Sequence, residues 1–431
     1  MTSNNKIKKK INRICILNPQ GYIEYPPPLG KTDTGGQITY ILELAKALGK
    51  KNIKVDIVTR KFDNRPTEET IFDNVKIVRI ACGSNKFIPK EKLYEVAAEM
   101  AENILEYLNH KNKKYDLIHS HYWDGGYVGL TLAKVLNIPH IHTPHSLGKW
   151  KKLEMALEET SPQKLKPIYR YQVRIAAEQK ILNRVDAVIL QAESLRIKIL
   201  EHYMVDFEKL FVIFPGIDTD VYNPYHNKYD KQTNLVKNSI LTVSRMVPNK
   251  GIDRLLDAAN LIKNKIDFHI YIGGGGAKNI PKSVEEEEFS KKIYHLIKKY
   301  NLSEKVTILG HIESHLLPSY YRKADLLVFP SRYEPFGIVP LESMACGTTS
   351  IVSNSAGCRE IIIDGLNGFI INPHDRKKLA EIILQLLKDE KLRNKVAQNA
   401  AFTIKEHYSW NKVTDKFIEL YHKILLNKNK L

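Results

Sequence analysis

The sequence predicts an α/β protein made of two doubly wound domains, each with a parallel sheet. Three observations carry this reading. From Ile11 onward short β-branched runs alternate with amphipathic helical stretches, the alternation restarts near Asn238, and 431 residues exceed what one hydrophobic core organises. Alternation of strand and helix implies right-handed crossovers onto parallel strands, with helices on both faces.

The elements follow in chain order. RICILN reads as a buried strand; after a long Gly/Pro loop, Ile38, Ile41, Leu42, Ala45 and Leu48 fall at helical spacing, and Gly49 stops the helix. KVDIVT, VKIVRI, YDLIHSH, IPHIHT, DAVILQ and LFVIF are the next strands, with helices between most of them. The polar, turn-rich stretch NPYHNKYDKQTN reads as a linker, after which SILTVSR begins a second sheet continued by FHIYIGG, KVTILG, DLLVFP and TSIVS. From Ser409 a last helix carries Val413, Phe417, Leu420, Tyr421 and Ile424 on one face, which needs a partner surface. The expected domains are 1–235 and 236–407, with the helix at 408–431 packing back on the first.

Composition narrows the function classes. The chain is 43% hydrophobic, no window approaches the ~18 apolar residues that a bilayer span needs, and the basic start MTSNNKIKKKINR lacks the apolar run of a signal peptide. A cytoplasmic protein without membrane contact is expected. Cys15, Cys82, Cys346 and Cys358 are scattered and read as reduced and structural. The net charge of +18 is spread over helical faces, as in YHLIKKYN and DRKKLAEII, and no nucleic-acid-reading motif accompanies it. It reads as a solvated basic surface that attracts small anions rather than nucleic acid.

In doubly wound sheets ligands bind outside the carboxyl ends of the strands, so the informative residues are those in loops after strands. SRYEPFGIVPLESMACG follows DLLVFP and holds Glu334 in the loop and Glu342 on the next helix. That spacing suits two hydroxyl-bearing parts of one ligand rather than a metal pair, and the backbone N–H groups near Gly337 suit a pyrophosphate or sugar hydroxyls. SRMVPNKG places Arg245 and Lys250 on another such loop, where fixed cations would stabilise a departing diphosphate. In Asp33 to Gln37, the Gly35–Gly36 pair permits close backbone approach to a ligand, or is simply a turn. His119 with His121, and His140 with His142, share strand faces, which raises a zinc site; no HExxH pattern or carboxylate set accompanies them, so packed strand-end residues and no metal are expected. His145 differs in lying in a loop before Ser-Leu-Gly. Asp218-Thr219-Asp220 reads as turn and capping chemistry rather than a metal motif. Gly273 to Gly276 lacks the GxGxxG pattern with an acidic partner, which disfavours NAD.

Together these loops resemble the GT-B retaining glycosyltransferases of the sucrose-phosphate synthase type, over nearly the whole chain. GYIEYPPPLGKTDTGGQITYILELAKALG, NKFIPKE, SHYWDGG, HTPHSLGKWKK and SRYEPFG look especially like the mannosylfructose-phosphate synthases within that family. The resemblance implies two Rossmann-like domains facing across a cleft and transfer of a hexose, mannose from GDP-mannose or glucose from UDP-glucose, to fructose 6-phosphate. It implies that Glu334, with backbone from Phe336 and Gly337, meets the donor sugar, and that Glu342 meets the ribose. Arg245 and Lys250 would hold the diphosphate, Gly36 would approach it, and His145 would lie near the donor sugar. On the acceptor side it implies Gln37, Lys86, Ser146, Lys151 and Arg174, the last two as a phosphate clamp. The nucleotide sugar is then a substrate, and no cofactor or metal is expected. The family's course is front-face substitution, with the donor phosphate accepting the acceptor's proton. SNSAGCREII departs from the Gly-Gly turn more common in relatives, which bears on local donor contacts. An epimerase of the same architecture would need no second sugar, and a nucleotide-sugar sensor would need no acceptor groups; the acceptor-side cations argue against both.

Overall fold

The computed structural model describes residues 10–27, 36–158, 170–274 and 284–428. The chain divides into two compact units: the first runs to Phe214 and resumes at Val413, and the second is centred on Pro215–Lys412.

The first unit holds strands β1 (Arg13–Leu17), β2 (Lys54–Lys61), β3 (Glu68–Phe72), β4 (Val75–Ala81), β5 (Leu117–His121), β6 (His140–Thr143), β7 (Ala187–Leu190) and β8 (Leu210–Val212). Their order is β3-β4-β2-β1-β5-β6-β7-β8, and every pairing is parallel except β3 with β4. Every residue of β5, β6 and β7 is buried, as befits central parallel strands covered on both faces. The helices are α1 (Gly36–Lys50), α2 (Ala97–His110), α3 (Tyr122–Leu136), α4 (Gly148–Glu158), α5 (Tyr171–Arg184) and α6 (Glu193–His202). On one face Met100, Ile104 and Leu108 of α2 and Val128 and Leu132 of α3 pack with Cys15, Val58 and Ile118 of the sheet.

In the second unit β9 (Ser239–Val243), β10 (His269–Gly273), β11 (Val306–Gly310), β12 (Leu326–Phe329), β13 (Thr349–Ser353) and β14 (Phe369–Ile371) form an all-parallel sheet. Its order, β11-β10-β9-β12-β13-β14, reverses direction between β9 and β12. The helices are α7 (Ile252–Ile262), α8 (Val284–Lys299), α9 (Leu317–Lys323), α10 (Val339–Ala345), α11 (Arg376–Lys388) and α12 (Glu390–His407). Leu255, Leu256 and Ala259 of α7 meet Ile383 and Leu386 of α11 in one core over Ile240, Ile270 and Val328. Helix α13 (Trp410–Lys428) starts in the second unit, and its residues from Val413 on belong to the first. There Phe417 and Tyr421 are fully buried, the Tyr421 hydroxyl lies 2.7 Å from His119 Nδ1, and Asp415 pairs with Lys51 at 2.8 Å. Where the chain passes between the units, Ile217 bridges Ser409 in parallel, and Gly216 lies against Trp410.

Two sequence expectations change. The stretch 223–234 is no linker: the division falls at 214/215 instead of 235/236, and the second unit extends past 407 to Lys412. The reason is Asp230, buried in the middle of the short helical turn Lys228–Gln232 and accepting from Arg322 Nη2 at 2.6 Å and from Ser319 Oγ at 2.6 Å. That ion pair ties the polar segment to α9. Strands β3 and β14 are additional to those expected. Among the described residues no helix is long and apolar enough to cross a membrane.

Removing one partner of a buried ion pair leaves an uncompensated charge, so Arg322→Leu is expected to cost about 3–5 kcal/mol in urea unfolding at pH 7. Burial alone would raise the Asp230 pKa, but hydrogen bonds from Arg322, Ser319 and His226 hold it well below the usual 3.8. A carboxylate depressed on folding stabilises fully above its unfolded pKa and loses that contribution as pH falls. The gap between parent and variant should therefore be constant near neutrality and shrink below about pH 4; a gap that widens in acid would count against the assignment.

Candidate active site

In the second unit the loops after β9 and β12 leave the sheet at its reversal point, where a crevice for a ligand is expected in such folds. They are fastened together. Arg332, in the loop after β12, donates to both carboxylate oxygens of Asp253 at 2.9 and 2.7 Å and also to the Pro248 carbonyl. Its N–H donates to the Asn249 carbonyl at 2.8 Å, and Asn249 Nδ2 returns to the Tyr333 carbonyl at 3.2 Å. Gly251 makes this approach possible: its φ is +68°, and a Cβ there would run into the Pro330 carbonyl.

The consequence is that Lys250 and Glu334, predicted from separate motifs, meet. Lys250 Nζ binds Glu334 Oε2 and lies 5.7 Å from the centre of the Phe329 ring. Arg245 is exposed on the same loop as Lys250. Backbone bonds carry the arrangement to the loop after β13: Glu334 accepts from Gly357 N–H at 3.1 Å, and Phe336 accepts from Cys358 N–H at 2.8 Å. Phe336 is buried, and Gly337, with φ +89°, packs where a Cβ would press on Phe329 and the Glu334 stem. Thus the segment SNSAGCREII is wired directly to the Glu334 loop. Glu342 lies on α10, buried, where the wholly buried Tyr321 donates its hydroxyl to Oε2 at 2.9 Å. Asp218 accepts from Asp220 N–H at 3.1 Å, which is turn chemistry.

The first unit collects its candidate residues at the carboxyl ends of β1, β5, β6 and β7. Gln37, at the start of α1, accepts from Gln20 Nε2 at 2.8 Å and donates to Asn18 Oδ1 at 2.7 Å; Gly36 beside it is exposed, and a Cβ there would meet open space. Asp33 to Gly35, and Gly275 and Gly276 in the second unit, lie outside the described residues. His145 has a left-handed backbone (φ +55°) and lies tilted against the His121 ring, which lies tilted against His119, the ring centres 5.1 and 4.3 Å apart. Its two ring nitrogens lie 2.9 Å from His121 Nδ1 and 3.2 Å from Gln191 Nε2. His140 and His142 both bond Ser120 Oγ, at 2.7 and 2.9 Å. Among the described residues no group of three or more His, Cys, Asp or Glu side chains is disposed to hold a metal ion.

Lys151 and Arg174 come together. With Lys90, Tyr122, Trp123 and Tyr171 they line a small cavity, to which Glu91 also contributes. Arg174 is buried and makes four hydrogen bonds: to Glu178 Oε1 at 2.7 Å, the Tyr122 hydroxyl at 2.9 Å, and the Ser146 carbonyl and Oγ at 3.0 and 2.9 Å. Burial alone would lower its pKa, but Tyr122 and Glu178 raise it, so the guanidinium is firmly charged. Glu178 is itself occupied by the Gly148 N–H and the Tyr203 hydroxyl as well as by Arg174, so it is not poised as a nucleophile. Lys86 does not line this cavity; it is exposed, with its carbonyl held by Arg60 Nη1 at 2.9 Å. Lys90 was not singled out from the sequence, although NKFIPKE contains it. Nor were Arg332 and Asp253, whose partnership spans 79 residues.

The five clustered histidines share one property. Burial, followed in four of them by neighbouring histidine charge, lowers the pKa of His119 and His121 well below 6.5 and those of His140, His142 and His145 to about 3. The unfolded chain takes up these protons near pH 6.5 while the folded chain refuses them, so stability is lost as pH falls through the unfolded value. The limiting slope is about 1.4 kcal/mol per pH unit for each histidine. Urea unfolding at pH 7.5 and 5.5 should show a lower midpoint at the acid value, and equal midpoints would contradict the neutral cluster.

Residues 34–221 match the family model described as Glycosyltransferase Family 4, and residues 226–402 that described as Glycosyl transferases group 1. A mannosylfructose-phosphate synthase from Agrobacterium fabrum is 32% identical over 423 residues, 95% of this chain and 90% of the relative. A probable sucrose-phosphate synthase from Thermosipho melanesiensis is 29% identical over 95% of this chain and 96% of its own. Among solved structures, sucrose-phosphate synthase from Thermosynechococcus elongatus superposes with a TM-score of 0.82 at 27% identity, covering 96% of this chain and all of that one. Each half thus carries a glycosyltransferase signature, the first over the segment with Lys151 and Arg174 and the second over that with Lys250 and Glu334, and the chain belongs to the GT-B glycosyltransferases of group 1, of the sucrose-phosphate synthase type.

Proposed function

We propose that this chain is a retaining hexosyltransferase that moves mannose from GDP-mannose, or glucose from UDP-glucose, onto fructose 6-phosphate without a metal ion. The observation that carries the reading is the cavity lined by Lys90, Lys151 and Arg174 with the aromatic walls of Tyr122, Trp123 and Tyr171, three cations against the single carboxylate of Glu91, which pairs with Lys90 at 3.2 Å. Cations within aromatic walls suit a phosphorylated sugar better than a neutral one. The names of the relatives point to the same acceptor class.

On this reading the second unit holds the donor. Arg245 and Lys250 stabilise the diphosphate as charge builds on it, Glu334 receives sugar hydroxyls with the backbone of Phe336 and Gly337, and Glu342 receives the ribose. The Lys250–Glu334 contact keeps both charges compensated until the donor supplies each with a new partner. In the first unit Gly36 approaches the diphosphate, His145 lies by the donor sugar, and Gln37, Lys86 and Ser146 accompany the acceptor. Retention follows if the acceptor hydroxyl attacks from the face the diphosphate leaves, its proton passing to a donor phosphate oxygen. The four free, buried cysteines suit a cytoplasmic enzyme.

Two outcomes test this. With GDP-mannose and UDP-glucose each paired with fructose 6-phosphate, fructose and 3-phosphoglycerate, nucleoside diphosphate should be released with fructose 6-phosphate and survive excess EDTA. Loss in EDTA with recovery in Mg²⁺ would overturn the metal-free course, and an epimer formed from donor alone would indicate an epimerase. Lys151→Ala should lower kcat/KM for fructose 6-phosphate by about 2–3 kcal/mol, on the order of 30- to 150-fold, and affect fructose far less. An equal loss for both acceptors would remove Lys151 from phosphate recognition. Arg174→Ala is a poorer probe, because it strands the buried Glu178 carboxylate.

A further inference from the structure

The chain of side chains from Gln191 through His145 to His121 has a direction. An amide nitrogen can only donate, so Gln191 Nε2, 3.2 Å from His145 Nδ1, requires that Nδ1 accept. In a neutral ring the proton then sits on His145 Nε2, which donates across 2.9 Å to His121 Nδ1. His121 must in turn carry its proton on Nε2, a buried atom without a hydrogen-bond partner among the described residues. An unpartnered buried N–H costs stability, so a packed core alone gives no reason for this polarity.

Both nitrogens of His145 are therefore occupied within the first unit, and its ring is unavailable as a base unless these bonds break. What the ring does hold is backbone. His145 sits in the left-handed region at φ +55°, where a residue other than glycine persists only if its surroundings fix it. On its two sides the Pro144 carbonyl accepts from Ser146 N–H at 2.6 Å. Ser146 then presents its carbonyl and Oγ to Arg174 at 3.0 and 2.9 Å, at the cavity shared with Lys90 and Lys151.

We propose that Gln191 and His121 are positioning residues: by fixing His145 as the neutral Nε2–H tautomer they lock the Pro144–Ser146 turn, and through Ser146 they aim Arg174 into the cavity. The inference rests on the acceptor reading above for its functional half, and on geometry alone for its tautomer half. It names a role for two residues that are buried or nearly so and touch no substrate in that reading.

The test uses the full chain with ¹⁵N-labelled histidine and arginine. Long-range ¹H–¹⁵N spectra of the ligand-free parent at pH 7 should show His145 and His121 neutral, each with Nδ1 unprotonated and Nε2 protonated. Gln191→Glu keeps the shape but replaces the donor by an acceptor, so the proton should move to His145 Nδ1, His121 should reverse with it, and the Arg174 Nε–H resonance should shift. Its KM for fructose 6-phosphate should rise about tenfold or more, with a much smaller change in KM for the nucleotide sugar. Gln191→Met removes the directing donor and serves if the glutamate variant does not fold; it should give mixed tautomers and an intermediate rise in KM. A parent with the proton on His145 Nδ1, or with a charged ring, overturns the proposal. So does a reversed tautomer in Gln191→Glu that leaves both the Arg174 resonance and the acceptor KM unchanged. If the parent transfers to no sugar phosphate, the acceptor reading fails, while the histidine and Arg174 spectra still decide the positioning claim.

Discussion

Arg332 grips both oxygens of Asp253, and on that contact the candidate donor site of the second unit depends. Parallel topology brings β9 and β12 side by side but leaves their following loops free to diverge on opposite faces of the sheet. The planar guanidinium spans the divergence, adding a bond to the Pro248 carbonyl, and a bidentate pair of this kind fixes orientation as well as distance. Lys292 contributes a second cation to Asp253 at 2.8 Å. Only with the loops so joined can Lys250 and Glu334, 84 residues apart, share a contact.

The two units solve different electrostatic problems. In the second, charges of opposite sign meet in partly buried loops, so each is compensated before a ligand arrives. In the first, five buried imidazoles lie close together with no carboxylate bonded to their rings among the described residues, and burial keeps them neutral. Hydroxyls of Ser120, Thr143 and Tyr421 bond the rings of His119, His140 and His142, because a hydroxyl can donate or accept as needed. Arg174, a buried charge in the same unit, is held by the buried carboxylate of Glu178 one helical turn away.

How much of this the sequence disclosed follows from the range of each interaction. Parallel strands announce themselves as β-branched runs, so β1, β2, β4 to β8 and β9 to β13 were legible, β11 among them although none of its residues is fully buried. The edge strand β3, EETIF, opens on two glutamates, and β14 is three residues following the turn-forming stretch DGLNG. Glu334 and Lys250 could be picked out as candidates because loops after parallel strands are where ligands bind in such folds, but their contact could not, since nothing local encodes it. Asp230 was misread for the same reason: in sequence it sits among turn formers, and its partner Arg322 lies 92 residues on. Arg174 and Glu178 stand at helical spacing, yet their burial against Tyr122 and Ser146 depends on the whole of the first unit. Bringing Lys151 to the same cavity was suggested by resemblance rather than by any local pattern.

The return of α13 to the first unit has a consequence for the order in which the protein can be made. A nascent chain emerges from the ribosome amino end first, so the first unit's sheet is synthesised and able to collapse long before residues 413–428 exist. Until then Asp415, Phe417 and Tyr421 are missing from their places, Lys51 lacks its ion-pair partner, and His119 Nδ1 lacks its hydroxyl. The whole second unit must pass through the exit tunnel in that interval. Completion of the first unit is thereby made a late event in biosynthesis, coupled to the arrival of the last helix rather than to the synthesis of its own strands.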